Sequence, residues 1–236
     1  MKLAAEEAAR AFLHDHFPDC LAAFLAGSAI RGEATPTSDL DIVILTEKEN
    51  APYRESFEDY GWPIEAFVHT TSSYRDFFSR DVARRRPSLP LMCAEGLILK
   101  DTEGLAENLK EEAKALLAEG PPPLPEEALD GSRYALTNLL DDFIGARSRA
   151  EALFIAADLV NATAEFVQDV HGHWRGLGKW NLRRLRELDG DTAEQFVFAL
   201  EGFYRREDRA LLAEFVEGIL TAHGGRLFAG YSAGKR

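Results

Sequence analysis

The sequence predicts an α/β (α+β) sheet domain followed by an all-α helical bundle. In the first half, short apolar runs of strand length alternate with helix-period patterns. Gly120-Pro121-Pro122-Pro123-Leu124-Pro125 then interrupts the pattern, because consecutive prolines offer no N–H to a helix or a sheet ladder. Beyond it, apolar residues recur almost only at helical spacing. The expected division is a sheet domain over 1–120, a linker over 121–125 and a bundle over 126–236. A chain of 236 residues is long enough for two cores of about 100 residues each.

In chain order, Ala4 to Phe17 carries Ala8, Ala11 and Phe12 at helical spacing and stops at Pro18, which predicts a first helix. Leu21 to Leu25 and Leu40 to Leu45 read as strands. Tyr53 to Tyr60 and Pro63 to Val68, joined at Gly61-Trp62, read as a hairpin. Ser72 to Arg85 follows as a helix, capped by Ser72 or Ser73, with Tyr74, Phe77, Phe78 and Val82 inward. The cations of Arg84-Arg85-Arg86 are read as a solvated helix end. Gly96 to Lys100 is a candidate edge strand, and Glu103 to Leu117 an amphipathic helix. Five helices are expected in the bundle: Ser132 to Arg149, Ala150 to His171, Asn181 to Leu188, Thr192 to Phe203 and Glu207 to Ala222.

The densest chemical signal is Gly27-Ser28, then ten residues, then Asp39-Leu40-Asp41 running into Ile42-Val43-Ile44-Leu45. Strand side chains alternate faces, so Asp39 and Asp41 point the same way. Two such carboxylates repel, which a divalent cation between them offsets. Glu65 is a third acid in an otherwise apolar strand, and a metal shared with Asp39 and Asp41 is the expected partner for its charge. Gly27 lets the backbone approach a phosphate chain closely, and Ser28 offers a hydroxyl and an amide, although Ser after Gly is also ordinary turn chemistry. Arg31 reads equally as a solvated loop cation and as a phosphate ligand.

Gly-Ser, Asp-x-Asp and the distal acid together resemble the DNA polymerase beta-like nucleotidyltransferase superfamily. The stretch Gly27-Ser28-Ala29-Ile30-Arg31 through Ser38-Asp39-Leu40-Asp41-Ile42 is similar to the compact branch of aminoglycoside nucleotidyltransferases and minimal nucleotidyltransferases. The signature core covers residues 21 to 69, under a quarter of the chain. The resemblance implies Mg²⁺ on Asp39, Asp41 and Glu65, with ATP or another nucleoside triphosphate as donor contacted by Gly27, Ser28, Arg31 and Ser38. It further implies a hydroxyl acceptor that is a small, possibly cationic molecule such as an aminoglycoside-type antibiotic. From the helical half it points to Asp142, beside Asp141, at the acceptor hydroxyl, and to Lys179 of Gly178-Lys179-Trp180 at the triphosphate. Either Glu65 or Asp142 is the proton acceptor. On residue pattern alone, Asp141 and Asp142 are a solvated helix face and Lys179 a solvated helix start.

Charge narrows the classes. Forty acids against 27 bases give a net charge of −13, which opposes the broad basic surface that long nucleic acid requires and suits a small polycation instead. Cys20 and Cys93 lie at no disulfide or zinc spacing and read as small core residues. The acidic start and the absence of a long apolar run predict a cytoplasmic chain with no membrane span. Two alternatives stand beside transfer to a small molecule: modification of a protein or RNA partner, as in antitoxin-like systems, and nucleotide binding without catalysis. The presence of all three carboxylates counts against the last.

Overall fold

The computed structural model describes residues 2–48 and 50–234, and the chain divides into two compact units, Met1–Gly120 and Pro121–Arg236.

The first unit runs α1 (Ala5–His16), β1 (Ala22–Ala26), β2 (Leu40–Leu45), β3 (Tyr53–Asp59), β4 (Trp62–His69), α2 (Ser73–Ala83), α3 (Ser88–Glu95), β5 (Leu97–Asp101) and α4 (Leu105–Glu119). Among the described residues its five strands lie in the order β3-β4-β2-β1-β5. The β2/β4 pair is parallel, and the other three pairs are antiparallel.

Side-chain alternation explains the layers. Leu40, Ile42 and Ile44 of β2 pack with Ile64, Ala66 and Val68 of β4 against Ala8, Phe12 and Leu13 of α1. Val43 and Leu45 point to the opposite face, where Tyr74, Phe78, Leu89, Cys93 and Leu109 cover them. Both cysteines are buried and free. Asp41, on the same face as Val43 and Leu45, is the one position of β2 that is not fully buried. The β3/β4 hairpin turns at Tyr60-Gly61, both with positive φ (55° and 79°), the geometry of a tight turn whose twist matches the strands.

Two segments differ from expectation. Residues 88–95, to which the sequence pattern assigns no element, form α3. Pro90 sits in the first turn of the helix, where its missing N–H is not needed. Arg85 is not a solvated helix end: it is 2% exposed, with left-handed backbone. The turn closes around buried Asp81, whose carboxylate accepts the Leu89 N–H at 2.8 Å and pairs with Arg84.

The second unit comprises α5 (Glu126–Gly145), α6 (Arg149–Val170), α7 (Lys179–Leu188), α8 (Gly190–Arg206) and α9 (Arg209–Ala222). Leu136, Leu140, Phe143, Leu159, Phe203 and Val216 anchor its core. α5 begins six residues before the expected Ser132, because Pro125 with Glu126 and Glu127 already makes a favourable first turn. Ser148 and Glu151 form a capping box on α6, and Asp189 and Asp208 cap α8 and α9. Between α6 and α7 the buried Gln168 amide accepts from Gly176 N–H (3.1 Å) and donates to the Asn181 carbonyl (3.3 Å). Among the described residues no helix is long and apolar enough to cross a membrane.

Candidate active site

Parallel pairing of β2 with β4 sets Asp41 directly beside Glu65. Asp39 precedes β2 by one residue and shares the face of Asp41, as alternation requires. The result is a cluster in which Asp39, Asp41 and Glu65 each present one carboxylate oxygen within 4.8 Å of the others. All three are half-buried. Burial, then the charge of Asp39, then that of Glu65, push the Asp41 carboxyl up from its ordinary 3.8 to about 6. Arg54 and Arg31 act weakly in the opposite direction.

The strand ends shape the space around these acids. Gly27 follows β1 with φ +80°, and a Cβ there would overlap the Asp41 carboxylate, so glycine is required on both counts. Ser28 donates its hydroxyl to Ser38 (3.1 Å), and Ser38 accepts the Thr35 N–H (2.8 Å), which ties together the two ends of the β1–β2 loop. Arg31 is held by Glu95 (2.9 Å) and Glu33 (3.6 Å). Arg54 of β3 pairs with Glu65 and lies over the Phe67 ring, 4.9 Å from its centroid. Arg54 is absent from the sequence-based expectation, and hairpin register is the signal that finds it. The Tyr60-Gly61 turn fixes Ser56 opposite Glu65 and Arg54 opposite Phe67, on the same face.

The remaining expected site residues belong to the second unit. Asp142 is exposed on α5, and its neighbour Asp141 pairs with Arg226, which also grips Glu217 at 2.6 Å. Lys179 is exposed as the first residue of α7, behind Gly178 (φ 56°, ψ −123°).

Three converging acids beside a glycine that leaves their oxygens room are a hard, oxygen-only donor set, which suits Mg²⁺ or Mn²⁺ rather than zinc. With a cation bound, a donor set of this kind can take up a polyanionic phosphate group.

Residues 7–81 match the family model for the nucleotidyltransferase domain. That stretch runs from α1 into α2 and contains Gly27, Ser28, Asp39, Asp41 and Glu65. Over residues 7–81 the match is therefore to a nucleotidyltransferase domain, in keeping with the superfamily that the Gly-Ser and Asp-x-Asp motifs resemble. Among solved structures it is similar to a nucleotidyltransferase-like protein from Exiguobacterium sibiricum 255-15. The two are 14% identical with a TM-score of 0.47, over 92% of this chain and 74% of that one. No curated protein matches the chain.

Proposed function

We propose that this protein transfers a nucleoside monophosphate, AMP from ATP in the first instance, to a hydroxyl of a small cationic molecule of the aminoglycoside type. The observation that supports it most is the convergence of Asp39, Asp41 and Glu65 within 4.8 Å, inside a matched nucleotidyltransferase domain. These three carboxylates would hold Mg²⁺. Bound there, the ion neutralises phosphate charge and stabilises the leaving pyrophosphate.

The chain's own groups do the rest by position. Gly27 keeps the Asp41 oxygens clear, and Ser28 and Ser38 fix the loop that would face the phosphates. In the transfer, an acceptor oxygen bonds to the α phosphorus as the bond to the β-phosphate oxygen breaks, and the hydroxyl proton passes to Glu65 or Asp142. Lys179 is assigned to the triphosphate. Acids around the site attract a cationic acceptor over several ångströms, and salt weakens that attraction.

The test is transfer of label from ATP labelled at the α-phosphate to a panel of hydroxylated polyamines and aminoglycosides. Labelled acceptor and pyrophosphate should appear in equal amounts, only with a divalent cation, and not with Asp39→Asn or Asp41→Asn. Transfer that persists in EDTA or in either variant refutes the reading.

A further inference from the structure

Glu65 stands between two neighbours of opposite charge. On the inner side β2 places Asp41 beside it. On the outer side the edge strand β3 sends Arg54 diagonally across from its position opposite Phe67. The Arg54 guanidinium lies over the Phe67 ring and donates one N–H to one oxygen of the Glu65 carboxylate. Its side chain is 57% exposed, that of Glu65 23%.

An exposed arginine of this kind contributes little to stability. Its position matters more. Glu65 has three rotatable side-chain bonds and two like charges within 4.8 Å, so on its own it would turn away from Asp39 and Asp41. Arg54 offsets that repulsion and engages a single oxygen, while the carboxylate still presents an oxygen to the cluster. Phe67 in turn limits where the guanidinium sits.

We propose that Arg54 is a positioning residue for Glu65, holding the third carboxylate turned toward Asp39 and Asp41 so that the cation site is assembled before the ion arrives. This rests on the reading of the three acids as a divalent-cation site. Groups that hydrogen-bond a ligating carboxylate typically change metal affinity about 10–100-fold when removed. The competing effect has the opposite sign: a guanidinium repels an arriving cation, and if that were its main influence, its removal would tighten binding.

The experiment titrates Mn²⁺ alone, without nucleotide, into the full-length wild type, Arg54→Gln, Arg54→Lys, Glu65→Gln and the Arg54→Gln/Glu65→Gln double variant, following free Mn²⁺ by electron paramagnetic resonance. Circular dichroism and melting curves confirm that each variant is folded. Arg54→Gln should weaken Mn²⁺ binding about 10–100-fold. Arg54→Lys, which keeps the charge and a donor, should recover most of it. In the Glu65→Gln background Arg54→Gln should have no further effect, because Arg54 acts through Glu65. Unchanged or tighter binding by Arg54→Gln, or an equal loss in the Glu65→Gln background, overturns the assignment while leaving the cation site standing. Failure of the wild type itself to bind Mn²⁺ saturably overturns both.

Discussion

Asp41→Asn should stabilise the metal-free protein while abolishing turnover. In the folded chain the Asp41 carboxyl sits at about 6 rather than 3.8, first because of burial and then because of Asp39 and Glu65. At ~1.4 kcal/mol per pH unit this difference costs ~3 kcal/mol at neutral pH, and solvent on the open side of the site trims it to ~1–3 kcal/mol. Between about pH 4 and 6 the native state keeps a proton that the unfolded chain has released. Stability from this group therefore falls as pH rises through that window and stays low above it. The asparagine variant has no such proton to lose. In EDTA at pH 7.5 its melting point should exceed that of the wild type by about 3–10 °C, the gap closing near pH 4. Saturating Mg²⁺ should reverse the order, since an ion at 100 times its Kd adds ~2.7 kcal/mol to the wild type alone. Differential scanning calorimetry across pH, with and without the ion, reads all of this. A variant that melts at or below the wild type at pH 7.5 in EDTA, with an intact fold, refutes the repulsion argument.

Other perturbations test separate links. Gly27→Ala places a side chain at φ +80° and into the Asp41 carboxylate, so urea unfolding should show a loss of ~1–2 kcal/mol or more, and Mn²⁺ affinity should drop with it. His69 is 4% exposed, and burial lowers its pKa from 6.5 to about 4. Below pH 6.5 the unfolded chain gains a proton that native His69 refuses, so stability falls as pH drops toward 4, opposite in sign to the Asp41 effect. His69→Phe should flatten that limb in calorimetry. For the second unit, Lys179→Ala should weaken nucleotide binding about tenfold by calorimetric titration, whereas Asp142→Asn should slow transfer and leave nucleotide affinity unchanged.

Much of the first unit is legible in its sequence because its strands are apolar and bounded by turn residues. β2 (Leu40–Leu45) has the expected bounds, and the run ending at Pro18 forms α1. The interrupted stretches are harder. α3 contains a proline, which the helix tolerates because Pro90 falls in its first turn. Arg85 looks solvated by composition, yet the chain turns around Asp81 and takes it inward. In the site, the spacing of Asp39 and Asp41 announces itself through the period of a strand. Their convergence with Glu65 depends on β2 pairing with β4 in parallel register, a long-range fact that local pattern does not contain. Arg54 stays hidden for a related reason: nothing marks it as special until the two-residue turn at Tyr60-Gly61 sets it opposite Phe67, diagonal to Glu65 on the same face. Asp142 and Lys179 sit on exposed helix positions whose patterns match any solvated face, and their roles remain assignments from resemblance.

Asp39, Asp41 and Glu65 are proposed to hold a divalent cation shared with a nucleoside triphosphate. Isothermal titration of a non-hydrolysable ATP analogue, with Mg²⁺ and then with EDTA, tests it without knowledge of the acceptor. Saturable binding of one analogue per chain is expected in Mg²⁺, weakened at least about tenfold in EDTA and in both Asp39→Asn and Asp41→Asn. Equal affinity with and without the ion, or in the wild type and the two variants, would contradict it.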